Sequence, residues 1–249
     1  MRKAITELVE KEKVEAIAVC LLWSFVHPEH EKRVKEVINE MYPDIYVTIS
    51  YDLVAAVHEY ARSNTTVIDA YVGPLTRVYF DSLKGKMRKA GYKGTVMIMQ
   101  SYGGVVEVED VKPVYTAVSG PAGGVIGARY WGEILGMENI ISTDVGGTSF
   151  DVSVVPRRER IFAKDPYVGR FRVLMPTIDI ITIGAGGGSI AWVDEDTNAL
   201  KVGPQSAGAE PGPVCYGRGG TQPTVTDADV VLGYIDPDYF LGGKIKVSK

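Results

Sequence analysis

The chain has 249 residues, is 45% hydrophobic and carries a formal net charge of −4. That is enough apolar material for a buried core in one or two domains, and it offers no basic face for nucleic acid. The one dense cationic patch, Arg157-Arg158-Glu159-Arg160, is broken by an acid and reads as a solvated turn.

The first hundred residues read as α/β. A continuous apolar run with β-branched residues over 14–22 predicts a buried strand. Pro28 opens a helix whose Val34, Val37, Ile38 and Met41 fall on one face. Alternation over 45–50 predicts a second strand. A long helical stretch follows, with Leu75, Val78, Tyr79, Leu83 and Met87 on one face and Gly73-Pro74 as a kink or fresh start. Gly91 ends it, and residues 95–100 predict a third strand.

Beyond this point glycine becomes dense: of 28 glycines, few precede Gly91. Ser119-Gly120-Pro121 predicts a helix start, with Ile126, Tyr130, Trp131, Ile134 and Leu135 as the apolar face and Gly136 as the stop. Strands are expected over 139–144 and 150–155, joined by a tight hairpin tip, then over 178–183 and 189–193. After Ala199 the text reads as loop. The shift in composition places a boundary near residue 105.

Two cysteines far apart, Cys20 and Cys215, form neither a disulfide framework nor a metal cluster. Cys20 reads as buried. No run reaches membrane-spanning length, and the first residues lack the apolar core of a signal peptide. A reduced, cytoplasmic protein without membrane contact is expected. His27-Pro28-Glu29-His30 lacks a third ligand, so no metal is expected there. His58 reads as a surface or capping residue.

The strongest chemical signal is Asp144-Val145-Gly146-Gly147-Thr148-Ser149-Phe150-Asp151. Gly146 and Gly147 remove side chains from the tip, and their N–H groups can form an anion nest. Thr148 and Ser149 add hydroxyl donors. Asp144 and Asp151 flank the tip, placed to hold a metal-bound water or orient a nucleophile. A plain Gly-Gly hairpin is the competing reading; a buried acid on each side favours function. The second signal is Gly184-Ala185-Gly186-Gly187-Gly188-Ser189 after a strand, a place where a ligand can approach the backbone, with a flexible connection as the competing reading. Its spacing matches neither a P-loop nor a dinucleotide fingerprint. The third, Ser119-Gly120-Pro121-Ala122-Gly123-Gly124, suits an anion or, more commonly, tight backbone packing.

Together these motifs resemble the hydantoinase A / 5-oxoprolinase family, which includes the ATP-binding subunits of acetone and acetophenone carboxylases. Ordered blocks carry the resemblance along nearly the whole chain: Ala18-Val19-Cys20-Leu21-Leu22-Trp23-Ser24 with His27-Pro28-Glu29-His30-Glu31, Glu59-Tyr60-Ala61-Arg62-Ser63-Asn64, Met99-Gln100-Ser101-Tyr102-Gly103-Gly104, the three glycine motifs, Val202-Gly203-Pro204-Gln205-Ser206, and Pro223-Thr224-Val225-Thr226-Asp227-Ala228. Two positions depart from it. Asn usually stands where Tyr102 is, and a small hydroxyl residue where Phe150 is, and either change could reshape the site near the hairpin.

The resemblance implies a partial actin-like (ribonuclease H-like) ATPase fold, α/β, with mixed sheets flanked by helices. Residues 1–105 would be the remainder of a first lobe and residues 106–249 a second lobe with the phosphate hairpin. It implies ATP and Mg²⁺ as cofactors. Gly146, Gly147, Thr148, Ser149, Gly186, Gly187 and Gly188 would bind the nucleotide, Asp144 and Asp151 would be catalytic, and Asp144 would hold the metal. The implied function is ATP-dependent activation of a ring carbonyl in a cyclic amide by phosphorylation. The alternatives are a ketone-carboxylase ATP-binding subunit or an inactive fragment or assembly module. The family's opposing D-x-G-G-T loop is not in this sequence, so both ends are expected to lie inside the family's length. A hydantoinase B-type subunit and an N-terminal region are the expected partners, homo-oligomerisation is possible, and little ATP hydrolysis is expected from this chain alone.

Overall fold

The computed structural model describes residues 1–249. In chain order the elements are α1 (Arg2–Thr6, continued by a π-turn Glu7–Lys11), β1 (Ala16–Val19), α2 (Glu29–Met41), β2 (Tyr46–Ile49), α3 (Ser50–Leu53), α4 (Glu59–Lys89), β3 (Met97–Met99), β4 (Val105–Glu107), α5 (Ser119–Ile134), β5 (Ile140–Val145), β6 (Phe150–Val155), β7 (Tyr167–Val168), β8 (Phe171–Arg172), β9 (Ile181–Ile183), β10 (Ser189–Val193), β11 (Leu200–Ser206) and α6 (Val225–Leu232). The chain is mixed α/β: β1 and β2 pair in parallel, whereas the other strand pairs are antiparallel. No helix is long and apolar enough to cross a membrane.

The chain divides into two units, residues 1–126 with 160–178, and residues 127–159 with 179–249. The division does not fall at residue 105, because segment 160–178 spends its backbone hydrogen bonds on the first unit. The amide of Ile178 donates to the Ser101 carbonyl at 3.0 Å, and that of Leu174 to Thr65 Oγ1 at 2.8 Å. Hydrogen-bond destinations of this kind leave no trace in composition.

In the first unit, α2 crosses over between β1 and β2 and buries Val37 and Ile38 against Ile5, Val19 and Ile49, with Val34 and Met41 at the edge of that core, as its apolar spacing requires. Helix α4 reverses the expectation. Leu75, Val78 and Tyr79 are exposed, and the buried side is polar or small: Ala61, Arg62, Thr65, Thr66, Asp69 and Gly73. Thr65 and Thr66 return their hydroxyls to the carbonyls of Ala61 and Arg62, both at 2.8 Å, so they can be buried without orphaned donors. The Tyr46 ring lies where a side chain on Gly73 would have to go. Close approach, rather than apolar area, seats this helix. It runs through Pro74 as one element.

Two buried ionic side chains organise the turn after β1. Glu31 accepts from the Leu21 amide and Ser50 Oγ, each at 2.7 Å, and from the Tyr51 amide at 3.0 Å. Arg62 donates to the carbonyls of Leu21 at 2.7 Å and Ala56 at 2.8 Å. The backbone of Leu21 is thus held at both its N–H and its C=O. Cys20 is half-buried and accepts from Ser63 Oγ at 3.2 Å. His58 occupies the N-cap position of α4, but its side chain makes no capping bond.

Helix α5 begins at Ser119 and buries Ala122 and Val125, while Tyr130, Trp131, Ile134 and Leu135 are more than half exposed. Its expected apolar face is therefore not the buried one, since the small residues are what permit close packing. A Cβ on Gly123 would stand in ordinary contact with the Met99 side chain. In the second unit, β5, β6 and β9 form an antiparallel sheet in the order β5-β6-β9, and β10 pairs with β11. Strand β11 corrects the expectation of loop after Ala199: Gly203 and Pro204 hid a seven-residue strand. Cys215, Val230 and Val247 form a core beside α6.

Candidate functional site

The second unit builds its site on the β5–β6 hairpin. The strands pair from Ile140↔Val155 to Val145↔Phe150, and the Gly146 amide closes the turn on the Ser149 carbonyl at 2.8 Å. The tip residues Gly146, Gly147 and Thr148 are exposed. The amides of Gly147, Thr148 and Ser149 donate to no protein acceptor. A run of successive N–H groups without protein acceptors is the arrangement that attracts an anion, with Ser149 half-buried at its end.

Asp144 and Asp151 stand directly opposite each other across the two strands, so both carboxylates leave the same face of the sheet. Asp144 is exposed and Asp151 half-buried. The expectation of a buried acid on each side is therefore corrected, because the hairpin has no protein layer over Asp144. Desolvation does not mark this pair as functional. Directly opposed residues have Cβ atoms about 5 Å apart, and like charges so placed repel unless a cation sits between them. Asp151 has one protein partner, Thr182 Oγ1, which donates to its Oδ1 at 2.6 Å from the next strand of the sheet.

Phe150 pairs with Val145 and Ile183, one residue out of step with Asp151. Its ring therefore leaves the opposite face from the acids, and this departure from the family pattern leaves the acid face unobstructed. In the first unit Tyr102 packs edge-on against Tyr115, ring centroids 6.2 Å apart.

The structure brings the two glycine motifs together. The Gly187 amide donates to the Gly146 carbonyl at 2.9 Å, and the Gly188 amide to the Gly147 carbonyl at 2.7 Å. A Cβ on Gly186 would stand 2.6 Å from the Thr148 and Ser149 nitrogens and from the Gly146 oxygen; one on Gly188 would stand 2.9 Å from the Gly147 oxygen. Gly186 and Gly188 are buried. Gly187 and Gly188 seat the tip by donating to its carbonyls, while Gly186, whose own amide donates to Ser189 Oγ, packs against the Thr148 and Ser149 nitrogens with no room for a side chain. This packing explains their lack of side chains without a ligand.

The seat is anchored in turn. The Gly187 carbonyl accepts from the Thr226 amide at 2.8 Å and Thr226 Oγ1 at 2.7 Å, and the Gly188 carbonyl from the Ala207 amide at 2.8 Å. Thr226 opens α6, whose capping box pairs Thr224 with Asp227. The Asp227 carboxylate also accepts from the Cys215 amide at 2.7 Å and the Val214 amide at 3.3 Å. Burial pushes the Asp227 carboxyl up, but the bonds from Cys215 and Thr224 outweigh it and hold the group below the usual carboxylate range. Burial, reinforced by the Asp227 charge, pushes the Cys215 thiol up to about 12, so it is no nucleophile at neutral pH. Sequence reasoning missed this anchor, although Thr224-Val225-Thr226-Asp227 has the spacing of a capping box.

The family model for hydantoinase/oxoprolinase matches residues 62–249, and that for the hydantoinase/oxoprolinase N-terminal region matches residues 1–42. The chain belongs to the hydantoinase/oxoprolinase family. It is 43% identical over 240 residues to the acetophenone carboxylase gamma subunit of Aromatoleum aromaticum, covering 94% of this chain and 33% of that one. Among solved structures, nucleotide-free acetone carboxylase superposes with a TM-score of 0.81 at 36% identity, covering 99% of this chain and 35% of that one. The ATP-dependent caprolactamase of Pseudomonas jessenii gives 0.80 at 36% identity, covering 100% and 36%. The chain thus spans about a third of the length of these relatives.

Proposed function

We propose that this chain supplies one phosphate-gripping hairpin of an ATP-dependent enzyme that activates a carbonyl group, within an actin-like ATPase architecture. The observation that carries the reading is the hairpin tip, where the amides of Gly147, Thr148 and Ser149 have no protein acceptor and are separated from the facing carboxylates of Asp144 and Asp151 by the Val145–Phe150 pair. Amides suit phosphate oxygens, and an acid pair suits the accompanying cation. Mg²⁺ needs only one or two carboxylates when phosphates and water complete its shell, and the chain has no group of three or more potential ligands that would suggest a fully protein-bound metal. Asp144 and Asp151 would hold Mg²⁺, which supplies neutralisation of phosphate charge. Gly186, Gly187 and Gly188 act as the seat that keeps the tip's carbonyls turned inward.

The substrate class we favour is a cyclic amide, whose ring carbonyl becomes open to water once its oxygen is phosphorylated; the ATP-dependent caprolactamase of similar structure supports this. A second reading, nucleotide subunit of a ketone carboxylase, is favoured by the 43% identity to the acetophenone carboxylase subunit. In either case a hydantoinase B-type partner and an N-terminal region with the opposing loop complete the enzyme. The test is an ATPase panel on the reconstituted assembly. Stimulation by hydantoin, 5-oxoproline or caprolactam selects the first reading and stimulation by acetone or acetophenone with bicarbonate the second. ATP turnover absent under all of them removes both.

A further inference from the structure

We infer that Thr182 is a positioning residue for the acid pair, fixing the Asp151 carboxylate so that it and Asp144 face one divalent cation. This rests on the nucleotide reading above. The hairpin register places Asp144 opposite Asp151, and the neighbouring register places Asp151 opposite Thr182, so the three side chains form one row on one face of the sheet. Thr182 Oγ1 donates to Asp151 Oδ1 at 2.6 Å. That bond uses the single hydroxyl proton and one lone-pair direction of one oxygen. The other Asp151 oxygen and the whole Asp144 carboxylate keep their capacity for a cation.

A carboxylate with no fixed partner, even a half-buried one such as Asp151, can rotate and present its oxygens in several directions. A β-branched donor on the adjacent strand has a stiff χ1 and a backbone fixed by pairing, so it selects one carboxylate orientation. Outer partners of this kind change metal affinity by roughly 10–100-fold when removed. A fold-supporting role is a poor account of the bond, because Thr182 is exposed and its hydroxyl has water available.

Mn²⁺ serves as the probe, titrated into the full chain by electron paramagnetic resonance, with Thr182→Val, Thr182→Ser, Asp144→Asn and Asp151→Asn compared and each variant's melting curve recorded. Thr182→Val keeps the shape and loses the donor; Thr182→Ser keeps the donor. The expected result is Mn²⁺ affinity reduced about tenfold or more in Thr182→Val, with an altered bound-metal spectrum, and recovery in Thr182→Ser at an unchanged melting temperature. Wild-type affinity and spectrum in Thr182→Val overturn the inference alone, provided either Asn variant abolishes binding. Failure of the unsubstituted chain to take Mn²⁺ overturns the cation reading and this inference with it.

Discussion

Gly188 donates its amide to the carbonyl of Gly147 at 2.7 Å, joining the two glycine-rich segments of the second unit backbone to backbone. The neighbouring Gly186 approaches the same tip so closely that only hydrogen fits in place of a side chain. The glycines on the two sides of this contact therefore have different tolerances.

Gly186→Ala is expected to destabilise the protein by about 1–3 kcal/mol, the usual range for overpacking, because its methyl group meets backbone atoms that cannot swing away. Gly147→Ala meets nothing within 4 Å and should leave the melting temperature nearly unchanged. Thermal denaturation of the pair checks this; equal losses contradict the seat.

Asp227 ties the start of α6 to the turn at Cys215. Its carboxyl is held below its unfolded value, so its stabilisation is present above the unfolded pKa of about 3.9 and is lost as pH falls through the lower folded value. Urea midpoints across acid pH should fall less steeply for Asp227→Asn than for the parent, with the parent's advantage present at neutral pH and shrinking below about pH 4.

Arg62 and Glu31 are both buried and both grip the Leu21 peptide. Arg62→Ala should cost about 3 kcal/mol or more, since it strands the Leu21 and Ala56 carbonyls and leaves a cavity. Glu31→Gln, which keeps the shape but can donate where acceptors are required, should cost about 1–3 kcal/mol. Denaturant unfolding measures both, and values below 0.5 kcal/mol, the order expected of ordinary surface substitutions, would contradict the clamp.

The hairpin was legible because a strand-like segment stands on each side of Gly146-Gly147, the second of them alternating, and the opposed aspartates then follow from register. Gly186 to Gly188 were read as a place where a ligand approaches the backbone. What approaches them is the tip itself, which depends on pairing between segments roughly forty residues apart that no local pattern encodes. Helix α4 was legible as a helix and misread as a face, since hydroxyls that satisfy themselves on preceding carbonyls can be buried in place of Leu75 and Tyr79. The strand β11 was hidden by Gly203-Pro204, and Thr182 by its plain strand context, where only the partner strand gives its hydroxyl a role.

The central claim is that the hairpin tip grips nucleotide phosphates. Amide chemical shifts followed by NMR as Mg-ATP is added to the chain test it residue by residue. The account predicts that the largest shifts fall on Gly147, Thr148 and Ser149, and that Asp144→Asn with Asp151→Asn abolishes them when Mg²⁺ is required. Mg-ATP shifts confined to residues elsewhere, or no shifts at millimolar nucleotide, would contradict it.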